Sequence, residues 1–193
     1  MKVSCVIATK NPNHEYLYQA LSSAINQIDQ LVIIDDCSSN NIISKVIDEL
    51  PTKNKDVTVI RNPSTEGQTK SLIKGITFCK HELIARIDDD DTWLKGKIEE
   101  QKKSFISNPN LVLCGTSYKV IRENDITTNS KIIKVKDFRR EFIYGNPFAH
   151  SSIVFNKSAY YKAGGFNKEY KESQDYDLWV RLSEIGDLLI INK

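Results

Sequence analysis

Four short apolar runs, residues 3–8, 31–35, 57–61 and 83–87, punctuate the first half of the chain, and the segments between them carry apolar residues at helical spacing. Leu17, Leu21, Ala24 and Ile28 share one helical face, and Leu72, Ile76 and Cys79 share another. Asn11-Pro12 supplies a cap and a first position for the first helix. Runs rich in Val, Ile and Leu, alternating with helices, predict right-handed crossovers and an α/β fold: a mostly parallel central sheet with helices on both faces.

After Pro109 the texture changes. Residues 111–121 and 131–135 read as longer strands separated by a polar turn at 122–130, and residues 151–155 read as a further short strand. A last helix over 175–185 is predicted to bury Leu178, Leu182 and Ile185, ahead of a strand at 188–191. With 193 residues, 40% of them hydrophobic, and no repeat or linker, the chain reads as one domain, 1–193, in two functional halves, 1–108 and 109–193.

A formal charge of +2 implies no nucleic-acid partner. The local cluster Lys131, Lys134, Lys136, Arg139 and Arg140 is either a solvated face or an attractor of phosphate or anionic lipid. Cys5, Cys37, Cys79 and Cys114 are widely spaced and lack metal-ligand pairing, so they read as reduced residues of a cytoplasmic protein rather than a disulfide framework. The apolar N-terminal run 3–8 is too short for a signal-peptide core or a membrane span.

In open parallel sheets, ligands bind beyond the carboxyl ends of the strands where strand order reverses. Three polar clusters follow predicted strands: Thr9-Lys10-Asn11, Asp35-Asp36-Cys37-Ser38-Ser39 and Asp88-Asp89-Asp90-Asp91. Consecutive carboxylates repel one another and lose hydration if partly buried, so the last cluster suggests a divalent cation bridging carboxylate and phosphate oxygens; a solvated acidic loop is the alternative.

These residues carry a family resemblance. Residues 3–9 (Val-Ser-Cys-Val-Ile-Ala-Thr), 33–39 (Ile-Ile-Asp-Asp-Cys-Ser-Ser), 85–91 (Ala-Arg-Ile-Asp-Asp-Asp-Asp), 146–152 (Asn-Pro-Phe-Ala-His-Ser-Ser), 164–166 (Gly-Gly-Phe) and 174–179 (Gln-Asp-Tyr-Asp-Leu-Trp) occur in the order and spacing of family 2 glycosyltransferases. The chain therefore resembles that family, which implies the GT-A fold with a Rossmann-like sheet and a small antiparallel acceptor-side portion. It also implies metal-dependent inverting transfer from a nucleotide-diphospho-sugar donor, UDP-linked by preference, to a saccharide or lipid-linked saccharide acceptor in surface polysaccharide synthesis. The implied location is cytoplasmic, with peripheral contact at the inner face of the plasma membrane.

By the same resemblance, Asp36 would accept a hydrogen bond from a uracil or thymine ring N–H beside Thr9, or else cap a helix. Asp88 would touch the ribose or the metal's hydration shell and stands as a second metal candidate, with Asp89 on the donor side. Asp90 would coordinate Mg²⁺ or Mn²⁺, and Asp91 would serve either the site or the local structure. Asp175, at the start of the last helix, would be the base that takes the acceptor proton, and Asp177 would turn about 200° away from it. Lys70 and Arg61 are candidates for diphosphate or base contacts, and His150, Gly165 and Trp179 are placed on the acceptor side: His150 as a contact or else a structural histidine, Gly165 as backbone freedom in the loop below the acceptor, and Trp179, like Trp93, as a packing residue ahead of a sugar-stacking one.

The chain departs from the family at Leu72-Ile73, where many members carry Arg-Asn, and at Leu94-Lys95-Gly96-Lys97, where many carry Leu-Pro-Asp-Arg. It also stops at Lys193, short of a segment that commonly covers the acceptor. Two other classes thus stay open: a nucleotide-sugar-binding domain without turnover, and a haloacid dehalogenase-type phosphatase, whose Asp-x-Asp-x-Thr signature residues 88–92 satisfy, though not after a first strand.

Overall fold

The computed structural model describes residues 1–52, 55–122, 125–129, 133–134, 138–170 and 172–192, with side chains undescribed over 122–140. The first half alternates as read: β1 (Val3–Thr9), α1 (His14–Ile25), β2 (Gln30–Asp35), α2 (Ile42–Glu49), β3 (Asp56–Arg61), α3 (Gln68–Phe78), β4 (Leu83–Arg86) and α4 (Lys97–Ser107). The second half runs β5 (Leu111–Thr116), β6 (Tyr118–Arg122), β7 (Asp125–Asn129), β8 (Ile133–Lys134), α5 (Phe138–Ile143), a 3-10 turn (His150–Ser152), β9 (Val154–Asn156), α6 (Lys157–Lys162), α7 (Gln174–Leu182) and β10 (Asp187–Ile191).

Eight strands form one sheet in the order β3-β2-β1-β4-β9-β5-β10-β8. The pairs among β3, β2, β1 and β4 are parallel, β9 is antiparallel to both β4 and β5, and β10 is parallel to β5. Strand order reverses between β1 and β4, which opens a crevice above their carboxyl ends. Every residue of β2, β4 and β5 is buried, as strands covered on both faces require. Alternate residues feed two layers: Cys5, Ile7 and Ala85 pack with Leu17, Leu21 and Trp93 on one side, while Val6, Ile34 and Ile84 pack with Leu72, Leu178 and Trp179 on the other.

Several boundaries differ from the sequence reading. Asn13, not Asn11, caps α1, with its Oδ1 accepting from Tyr16 N at 3.2 Å. Asn11 instead sits at φ 49° and pins the loop after β2, accepting from Ser39 N at 2.7 Å. The run 111–121 breaks at Ser117, whose N–H turns to the Ile191 carbonyl, so β5 and β6 belong to different sheets. Within the expected turn at 122–130, residues 125–129 form β7, paired antiparallel with β6; Ile126, Thr127 and Thr128 are β-branched and favour a strand despite their polar setting. Residues 150–152 are a 3-10 turn rather than the start of a strand. Lys131 and Lys136 of the basic cluster lie outside the described residues, as do the side chains of Lys134, Arg139 and Arg140. No helix among the described residues is long and apolar enough to cross a membrane. All four cysteines are free, and Cys5, Cys79 and Cys114 are buried.

Candidate functional site

The parallel register places the site residues. Thr9 lies opposite Asp35, so Asp36 emerges one step above, its N–H donating to the Thr9 carbonyl at 2.8 Å. Val6 lies opposite Arg86, and the same register carried up the strands brings Thr9 beside Asp89, to whose carboxylate the Thr9 hydroxyl donates. Asp35 stays below the crevice: its Oδ1 accepts from Ser38 N at 2.8 Å and its Oδ2 pairs with Arg61 at 2.6 Å, which accounts for Arg61 structurally.

Asp36 is buried and faces the loop that enters α3. Its Oδ1 accepts from Asn62 Nδ2 and Glu66 N, both at 2.8 Å, and its Oδ2 from Gly67 N at 2.9 Å. Burial alone would raise this carboxyl, but the Glu66, Asn62, Gly67 and Ser71 hydrogen bonds together hold it below the ordinary aspartate value. The carboxylate expected to read a base thus orders the 62–67 loop first. Lys70 is exposed on α3.

The acidic run is unequal. Asp88 is held by the fork of Arg86, with Nη1 to Oδ2 at 2.7 Å and Nη2 to Oδ1 at 2.6 Å. Gln68 Nε2 donates to Oδ1 at 3.2 Å and Ser151 Oγ to Oδ2 at 3.3 Å, while Asp88 N–H donates to Ser151 Oγ at 2.9 Å. A carboxylate offers about four lone-pair sites. Those of Asp88 are filled, which argues against the direct metal ligation foreseen for it. Asp90 is different: it is exposed and makes no ion pair among the described residues. Loss of hydration, then the charges of Asp88 and Asp89, raise its carboxyl above the usual value. Asp91 is raised too, first by lost hydration.

These residues fit a hard divalent cation. Among the described residues no cluster of three or more Asp, Glu, His or Cys side chains forms a ready cage. A carboxylate such as Asp90, without an ion pair among the described residues, is a hard oxygen donor of the kind Mg²⁺ or Mn²⁺ takes, and phosphate oxygens of a ligand would have to supply further donors.

Asp175 sits in the first turn of α7, partly buried, and accepts from Asn146 Nδ2 at 2.8 Å. Ser173 is the residue at the cap position, so Asp175 does not cap the helix. Asp177 turns away, as expected, and pairs with Arg181, whose guanidinium also donates to the carbonyls of Ala163 and Gly165. Segment 146–151 therefore touches both acidic groups, Asp175 through Asn146 and Asp88 through Ser151.

The acceptor-side placements of Trp179 and His150 give way to packing, and Gly165 keeps the backbone role read for it. Trp179 is wholly buried among Phe148, His150, Phe155 and Phe166, so no ring face is open to a sugar. The His150 ring packs edge-on to Phe166 and Trp179, and its Nε2 is buried without a hydrogen-bond partner among the described residues; burial, then the Arg86 charge, hold it well below the ordinary histidine value and therefore neutral. Gly165 is conformational: φ is +68°, and a Cβ would lie 2.9 Å from the Tyr160 hydroxyl. Trp93 is buried as well, its Nε1 donating to the Ser151 carbonyl at 2.8 Å.

Sequence reasoning missed Arg86, Gln68 and Asn146. Arg86 had a legible signal, a cation inside an apolar strand two residues before a carboxylate, which strand periodicity puts on the same face.

A mostly parallel sheet with an acidic loop at its switch point is the architecture of the GT-A class, and a solved structure bears the fold out. Residues 1–349 of TarS from S. aureus, solved with UDP-GlcNAc, superpose with a TM-score of 0.80 at 16% identity, covering 98% of this chain and 56% of that one. The chain belongs to glycosyl transferase family 2, whose family model matches residues 4–168. It is 29% identical over 185 residues to an uncharacterized glycosyltransferase of Methanocaldococcus jannaschii, covering 93% of this chain and 63% of that protein. It is 35% identical over 118 residues to the O-antigen biosynthesis glycosyltransferase WbnJ of Escherichia coli, covering 55% of this chain and 42% of the relative. The chain thus spans less than two thirds of the length of these relatives.

Proposed function

We propose that the chain transfers a sugar from a nucleotide-diphospho-sugar to an acceptor hydroxyl with inversion at the anomeric carbon. The observation behind this reading is Asp90, an exposed carboxylate beside the β1/β4 switch point that makes no ion pair among the described residues. Thr9 and the 62–67 loop ordered by Asp36 line the nucleoside side, and Asp90 would hold Mn²⁺ or Mg²⁺. When bound, that cation would offset the charge gathering on the departing diphosphate, so no separate protein acid is needed. Asp175 is oriented by the Asn146 amide and stands as the base. As the acceptor oxygen bonds to the anomeric carbon and the carbon–oxygen bond to the diphosphate breaks, Asp175 takes the hydroxyl proton.

The UDP-GlcNAc complex of TarS and the O-antigen role of WbnJ support a UDP-sugar donor and a saccharide acceptor; a lipid-linked acceptor met at the cytoplasmic face of a membrane is our extension of that reading. Thermal shift with UDP, dTDP and GDP, each with and without Mn²⁺, tests the donor side. UDP should stabilise the protein only with Mn²⁺, by about 2.7 kcal/mol at a hundredfold excess over Kd, and Asp90→Ala should abolish the effect. A shift indifferent to Mn²⁺ or to Asp90 defeats the proposal. Slow UDP-sugar hydrolysis lost in Asp175→Asn separates an enzyme from a binder.

A further inference from the structure

Arg86 is the least expected residue in the crevice wall. It is 1% exposed, lies at the end of β4 and spends both terminal nitrogens on one carboxylate. Burying a guanidinium is costly unless it is paired, so the pair is maintained by the interior rather than by solvent. Gln68 from α3 and Ser151 from the 3-10 turn complete the set, so three separate elements fix the orientation of Asp88.

We infer that Arg86 is a positioning residue that selects the metal-facing carboxylate: by neutralising Asp88 and, together with Gln68 and Ser151, saturating its oxygens, it takes Asp88 out of competition for the cation that Asp90 would hold. Without Arg86, Asp88 would be a further free carboxylate two residues from Asp90, and an ion captured without the donor would be held by protein oxygens that the donor's phosphates must replace. With Arg86, a cation gains enough ligands only when the donor supplies its phosphates. The consequence is ordered loading, with nucleotide and metal binding together.

The inference rests on the assignment of Asp90 as a cation ligand, and the experiment separates the two. Mn²⁺ binding is titrated by the loss of the free-ion paramagnetic resonance signal, with and without saturating UDP. Wild-type protein should bind Mn²⁺ weakly alone and more tightly with UDP. Failure of that result, or its persistence in Asp90→Asn, overturns the Asp90 assignment itself. Arg86→Met should bind Mn²⁺ without UDP about tenfold more tightly than wild type, because one more charged ligand is released. A merely structural pair would leave affinity unchanged or weaken it. The double variant Arg86→Met/Asp88→Asn keeps the local charge balance and removes the buried ion pair, a replacement interiors often tolerate. It should bind Mn²⁺ within about twofold of wild type both with and without UDP, even where the single variant fails to fold. Loss of binding in the double variant identifies Asp88 as a ligand and overturns the inference, as does an unchanged or weakened affinity in Arg86→Met.

Discussion

Asp88 and Asp90 are two residues apart, yet deleting their carboxylates should have opposite effects on stability. Asp88→Ala strands the buried Arg86 without its partner. Breaking a buried pair costs about 3–5 kcal/mol, and because Asp88 remains 24% exposed we expect about 2–3 kcal/mol, read by urea denaturation at pH 7. Asp90 has a folded pKa above its unfolded value, so its charge subtracts stability at neutral pH; that cost is absent below the unfolded pKa and complete above the folded one. Asp90→Asn should therefore leave stability within about 0.5 kcal/mol of wild type, or slightly higher. Asp36 has the reverse sign. Its depressed carboxyl contributes stability that is fully present above the unfolded value near 3.8 and is lost as pH falls through the folded pKa. Denaturation of Asp36→Asn and wild type should show a gap at pH 7 that narrows below about pH 4; a gap of constant size across that range would remove the hydrogen-bond explanation.

At the scale of elements, α3 follows the 62–67 loop proposed to line the nucleoside side, and it depends on close approach to the sheet. A Cβ on Gly75 would lie 2.6 Å from Val6 Cγ2 and 3.0 Å from Ile34 Cγ1, both in the packed layer beneath. Gly75→Ala should cost about 1–3 kcal/mol and weaken UDP binding with Mn²⁺, because lifting α3 also displaces Gly67 N–H and Gln68 from Asp36 and Asp88. β1, β2 and β4 were readable because Val, Ile and Leu runs on doubly covered strands leave few alternatives, and the half-buried edge strand β3 was readable from its own Val57, Val59 and Ile60. β7 was not, since its threonines look like loop residues until paired with β6. The site divides in the same way. The carboxylates at strand ends were legible, whereas Ser151 reaches Asp88 across 63 residues and Asn146 reaches Asp175 across 29. Partnerships of that kind follow from where β9 enters the sheet, which local periodicity does not encode.

At the scale of the whole molecule, β9 joins the halves. It lies between β4 and β5, so the strand that ends in Arg86 and the strand that leads toward the β6–β7 hairpin share one antiparallel neighbour. Val154 and Phe155 of β9 face opposite layers, as do Ala85 and Ile84 of β4. Neither layer can then be lost without uncovering strands that the other also needs, which predicts one cooperative transition. The two tryptophans report the layers separately, Trp93 on one side of the sheet and Trp179 on the other. In Trp93→Phe the remaining fluorescence follows the layer around Trp179, and in Trp179→Phe it follows the layer around Trp93. Within each variant the fluorescence midpoint in urea should coincide with the far-ultraviolet circular dichroism midpoint. Fluorescence of either tryptophan changing at clearly lower urea than the dichroism would mean that its layer opens alone, and that β9 does not couple the two layers.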